Sequence, residues 1–263
     1  MYKLSPALLT LLVFLLAQGV GAVLFLFIGM EPVSLFSLTL MAVNILAVLG
    51  CHFFLHNIQL KTTFNVSSIR WRPAFFAVIA CILGAQSISI LTDKVELPQS
   101  MLQISLAMSH DFCGVVALVL MGPLTEELLF REAIAGEMLR RGAKPWMAIL
   151  VSALAFSTVH LNLAQGLYAL PLGILLGIIY CKTHSIVLTS LFHIINNGIV
   201  VIQLHMLGES IADISYTEWF GGARIAYALM LLFGILSIFL MKLFWEDYPF
   251  HQEERQTTGF ADF

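Results

Sequence analysis

Three short stretches place chemistry-bearing side chains at helical spacing within a chain that is otherwise apolar. The first runs Leu124-Thr125-Glu126-Glu127-Leu128-Leu129-Phe130-Arg131-Glu132. The second contains Phe156 and His160, and the third His193 and Asn197, each an i,i+4 pair. A charged group at mid-membrane costs about 2.5–3.5 kcal/mol on insertion scales, so such groups mark a functional site by default. A carboxylate and an imidazole about one point suit general-base activation of water. A second imidazole and an amide N–H suit an oxyanion. Together they are the parts for hydrolysing a carbonyl compound such as a peptide bond. No activated nucleophile accompanies them. Ser157 is near His160 in sequence, but neither a G-x-S-x-G turn nor a Ser-Lys pair supports it.

Within the first stretch the roles divide. Glu126 and Glu127 point about 100° apart around a helix, so they cannot share one job. Glu127 and Arg131 are i,i+4 and can pair along their own helix, which leaves Glu126 to face another helix. Each motif alone has a plain structural account: charges bracing a bundle, a hydrogen-bonded core histidine, or polar side chains gluing membrane helices. Matching depth favours a single site. Glu126 lies fourteen residues before Arg140, and His160 fifteen after Pro145. Each is therefore roughly 20 Å from the same basic turn. His193 and Asn197 follow Ser185 by eight and twelve residues, roughly 12–18 Å from their own turn.

The elements that must position these residues are membrane helices. The chain is 59% hydrophobic and 11% charged over 263 residues, against about 25% charged in soluble domains. Mean hydropathy is +0.92. Runs of the length needed to span a bilayer cover residues 6–28, 33–55, 73–91, 108–140, 145–161, 165–181, 185–204 and 225–244. The expectation is an all-α, polytopic membrane protein: a bundle of eight transmembrane helices with an intramembrane catalytic cavity. It is read as a single domain over residues 1–244, with the motif-bearing core at 108–204 and a polar, disordered cytoplasmic tail at 245–263. Pro123 should kink the fourth helix or start a new segment. Gly173 and Gly177 form a small face for close helix approach, and Gly142 a helix C-cap.

Placing the N-terminus inside puts Lys3, Lys61, Arg70, Arg72, Arg140, Arg141, Lys144, Lys182, Lys242 and Arg255 on one side, and Lys94 and Arg224 on the other. That asymmetry makes both termini cytoplasmic, and a bacterial inner membrane is the expected location. The net charge of −3 does not suggest nucleic acid as a partner. Membrane lipids and a peptide or membrane-associated protein substrate are expected instead. Cys51, Cys81, Cys113 and Cys181 form no C-x-x-C and read as small core residues.

Glu126-Glu127-x-x-x-Arg131, Phe156-x-x-x-His160 and His193-x-x-x-Asn197 in this order resemble the signature of the CPBP (CAAX protease and bacteriocin-processing, or Abi) intramembrane proteases. These include the type II CAAX prenyl endopeptidases. The segment from Pro171 through Gly173, Gly177 and Tyr180 to His193 resembles the same family, and the similarity spans about residues 118–200. The resemblance implies eight helices around a conical cavity open to the cytoplasmic leaflet. It implies that Glu126 and His160 activate the water, that His193 and Asn197 bind the oxyanion, and that Glu127 and Arg131 support the helix, with Phe156 beside them. No cofactor is favoured. A zinc-dependent version would take Glu126, His160 and His193 as ligands, although H-E-x-x-H is lacking. Two other classes compete: a non-catalytic immunity or scaffold protein, and a proton-coupled transporter, against which stands the lack of an inverted repeat.

Overall fold

The computed structural model describes residues 5–28, 32–59, 64, 66, 69–212 and 214–248. Lys3, Glu31, Lys61, Arg255 and nearly all of the expected polar tail lie outside the described residues. The elements are α1 (Ser5–Ile28), α2 (Val33–Gly50, continued by a π turn at Cys51–Leu55), α3 (Trp71–Leu91), α4 (Gln99–Ser109), α5 (Phe112–Arg140), α6 (Pro145–Thr158), α7 (Leu163–Thr183), α8 (Ile186–Leu207) and α9 (Ala223–Asp247). No strand occurs among the described residues. Seven of these helices are long and apolar enough to cross a membrane. The chain is an all-α, multi-pass membrane protein.

Three features differ from the sequence expectation. First, the fifth expected span, α6, has 14 residues and rises only about 21 Å. It ends at Thr158, before His160. Leu161 then takes a left-handed backbone, φ +55, which stops the helix. Asn162 starts α7 by accepting the Gln165 N–H at 2.9 Å, as N-cap residues do. Second, α4 occupies part of what reads as a polar connection, and α5 starts only at Phe112. Asp111 caps that start by accepting Gly114 N–H at 2.8 Å. Third, Pro123 starts a new α stretch, Gly122–Glu126, as expected, but without ending α5. The helix instead widens into π turns on both sides, at Val116–Met121 and Glu127–Gly136. Widened turns of this kind are a known answer to a missing backbone donor and are frequent at functional sites.

The two ends of the bundle are tied by different side chains. At one end Arg140 donates to Asn57 O at 2.7 Å, Arg70 to Asp247 O at 3.3 Å, and Lys182 to Tyr248 O at 2.9 Å. At the other, Ser34 donates to Asp111 at 2.5 Å, Gln103 to Glu209 at 3.3 Å, and the Tyr216 N–H to Asp93 at 2.8 Å. The cationic residues therefore gather at the first end. There Gly142, φ +73, ends α5 with the Gly142 N–H on Leu139 O and the Ala143 N–H on Met138 O, which is a Schellman turn.

Close packing joins α6 to α7. A Cβ on Gly173 would lie 3.1 Å from Ala153 Cα and 3.2 Å from Phe156 Cδ1. One on Gly177 would lie 3.1 Å from Ile149 Cγ2. The expected small face therefore lets α7 approach the α6 backbone, and it fixes the depth of Phe156.

Candidate active site

The π stretch Glu127–Gly136 of α5 is buried throughout, so its polar side chains must find partners inside the bundle. Glu127 and Arg131 do so along the helix, with Arg131 Nε 3.1 Å from Glu127 Oε2 and both side chains fully buried. The Nε–H does not point at that oxygen, so the attraction is one of charge more than of an aligned hydrogen bond. Arg131 Nη1 donates to Ser152 Oγ at 3.1 Å, and Ser152 donates to Phe130 O at 2.7 Å. The guanidinium lies 4.9 Å from the centre of the Phe156 ring, a favourable place for a cation.

His193, on α8, faces both neighbouring glutamates. Its Nδ1 is 3.0 Å from Glu127 Oε1, and its Nε2 is 3.7 Å from Glu126 Oε2. A carboxylate held by arginine only accepts, so Nδ1 carries the proton. Nε2 is left for the space in front of Glu126. The two carboxylates do point in different directions, as their spacing requires, yet they meet one imidazole from its two sides. The Glu126 side chain is 28% exposed, against 4% for His193, so this gap opens outward.

His160 stands in the turn after α6, and its Nδ1 is 2.8 Å from its own helix's Phe156 O. A carbonyl only accepts, so here too Nδ1 holds the proton and the neutral ring offers the Nε2 lone pair. Phe156 lies against both imidazoles. The His160 and His193 ring centres lie 5.1 and 5.6 Å from that of Phe156, each ring perpendicular to it. Among the described residues Glu126 and His160 share neither an ion pair nor a hydrogen bond: Glu126 faces His193 and His160 its own helix. Behind His160, the Asn162 side-chain amide donates to His160 O at 2.9 Å and steadies the turn.

Asn197, one turn beyond His193, donates to Leu118 O at 2.9 Å. The reason lies in α5. The Gly122 N–H reaches back five residues to Ala117 O. The next residue is Pro123, which has no N–H to offer Leu118 O. Asn197 supplies the missing donor, which ties α8 to the widened turn.

A second polar cluster was not foreseen as a unit, although Glu132 belongs to the first stretch. Glu132 accepts from Arg140 Nη1 at 2.8 Å and from the Tyr180 hydroxyl. Gly136 leaves room for that hydroxyl, which a Cβ would strike. The cluster joins α5 to α7 at the cationic end, away from Glu126. Its signals in the sequence were the buried-type Tyr180 and the glycine one turn after Glu132.

Of the residues a zinc-dependent version would take, Glu126 and His193 face each other at 3.7 Å. Among the described residues no group of three or more His, Cys, Asp or Glu side chains is disposed to hold a metal ion.

The region that carries all four groups was compared with known families. The model "Type II CAAX prenyl endopeptidase Rce1-like" matches residues 108–199. Over this segment the chain is similar to that family. The segment runs from the end of α4 to two residues beyond Asn197 and so takes in Glu126, Glu127, Arg131, Phe156, His160, His193 and Asn197. No curated protein and no solved structure matches the chain.

Proposed function

We propose that the protein is an intramembrane endopeptidase that hydrolyses a peptide bond in a membrane-associated protein or peptide. The observation that carries this reading is the gap between Glu126 and the free nitrogen of His193. At 3.7 Å it is too long for a hydrogen bond and suits a bridging water or substrate oxygen. Support comes from the Rce1-like segment and from the two fixed imidazole tautomers.

In the proposed reaction Glu126 accepts a proton from a water as its oxygen attacks the scissile carbonyl carbon. The His160 Nε2 lone pair orients that water. Nδ1 of His193 is committed to Glu127, so Nε2 donates to the oxyanion when the ring is an imidazolium. The second N–H of Asn197 is the other donor. Collapse of the tetrahedral intermediate breaks the C–N bond, and the departing amine takes the proton from Glu126. No step is routed through a metal. The cationic end faces the cytoplasm, and the family name makes a CAAX-type C-terminus, lipidated or not, the first substrate class to try.

The test uses detergent-purified protein and internally quenched CAAX-type peptides, with and without a farnesyl group. Wild type should cleave at least one. Glu126→Gln and His193→Ala should each lose at least about a hundredfold in kcat while remaining folded. Cleavage by Glu126→Gln at the wild-type rate would sink the reading. Elemental analysis of the active protein decides between the metal-free scheme and a zinc-dependent one.

A further inference from the structure

We infer that Tyr168 is a positioning residue for the reaction, acting through Asn196 on the Asn197 amide; this rests on the oxyanion role proposed above for Asn197. The chain of contacts fixes every amide in one sense. Leu118 O can only accept, so the NH₂ of Asn197 must face it, at 2.9 Å. Asn197 Oδ1 then faces Asn196 and accepts from its Nδ2 at 3.3 Å. That leaves Asn196 Oδ1 facing Tyr168, whose hydroxyl donates to it at 2.7 Å. Reversing either amide would set oxygen against oxygen at one of these contacts.

Both oxygen ends of the relay are thus occupied, and one N–H of Asn197 is spent on α5. The remaining N–H has no acceptor among the described residues. An amide held at its oxygen and at one hydrogen presents the other hydrogen in a fixed direction, which is what an oxyanion donor needs. Asn196 is buried, so its oxygen has no ready substitute for the tyrosine hydroxyl. Tyr168 stands on α7, and through this relay α7 sets the pose of a group on α8.

Tyr168→Phe removes one oxygen and little volume. We expect kcat on the quenched peptide to fall about tenfold, with KM changed by less than about twofold, because only transition-state alignment is lost. In an Asn197→Ala background the same change should have no further effect, since its target is gone. A substrate-independent readout is the side-chain amide signal of Asn197 in asparagine-labelled protein, which should broaden or shift in Tyr168→Phe. Equal loss in both backgrounds, a rise in KM with kcat intact, or an unchanged Asn197 signal would overturn the inference. If instead Asn197→Ala matches wild type, the oxyanion reading itself fails, and this inference with it. If Asn197→Ala is crippled and Tyr168→Phe is not, only the relay fails.

Discussion

His193 Nδ1 lies 3.0 Å from Glu127 Oε1, inside a bundle where both side chains are almost wholly buried. Glu127 therefore meets Arg131 along its own helix and His193 on α8. It orients the imidazole as well as neutralising the arginine. Glu127→Gln keeps the shape and the acceptor but removes the charge. Breaking a buried pair from one side costs about 3–5 kcal/mol. We expect a loss of that order in reversible unfolding, together with loss of cleavage. The double change Glu127→Leu with Arg131→Met should recover most of the stability, because an apolar replacement leaves no orphaned charge. It should recover none of the activity.

Ser152 connects Arg131 to α6. It accepts from Nη1 at 3.1 Å and passes its own proton to Phe130 O at 2.7 Å. Ser152→Ala would strand a guanidinium N–H in a dry interior, at a cost of about 1–3 kcal/mol. Unfolding of the variant in mixed micelles measures it. Ser152→Cys, with a weak acceptor, should fall between the two.

Gly173 controls the depth of Phe156, whose ring packs against both imidazoles. Gly173→Val should push that ring aside, costing about 1–3 kcal/mol through overpacking, and should lower activity through both histidines. Gly19→Ala is the control, because a Cβ there meets nothing within 4 Å. It should leave cleavage unchanged.

Asp111 gives the fold an acid-sensitive joint at the end opposite the cationic cluster. The Ser34 hydroxyl bond, followed by the Gly114 N–H bond, holds its carboxyl below the usual value. A depressed folded pKa stabilises the folded state above the unfolded-state value, near 3.8. That contribution is lost as pH falls through the folded value. Thermal unfolding of wild type should weaken below about pH 4 in part through this group. Asp111→Asn can still cap α5, and it should flatten that portion of the pH profile.

Much of this arrangement is legible in the sequence, for identifiable reasons. Hydropathy marks all eight expected spans, seven of which are long enough in the structure to cross a membrane, because the bilayer sets their length. The i,i+4 spacing foretells the Glu127–Arg131 contact because it is local to one helix. The meeting of Glu126 and Glu127 at one histidine is not legible, since it depends on how α8 is rotated against α5. The end of α6 is hidden for another reason. A left-handed residue is usually signalled by glycine or asparagine, and here the position is Leu161. Helix α4 is masked by the polarity of its N-terminal flank. The role of Asn197 toward Leu118 appears only once Pro123 is seen inside a continuous helix with π turns.

His160 closes the last turn of α6 with its own ring, through Nδ1 on Phe156 O. The side chain is thus a stopper as well as the proposed orienter of the water, and replacing it by alanine would fray the helix end while deleting the lone pair. Inactivity of such a variant would report two injuries at once. Small imidazoles diffusing into the vacated space could restore the lone pair but not the stopper, so the degree of chemical rescue would separate them.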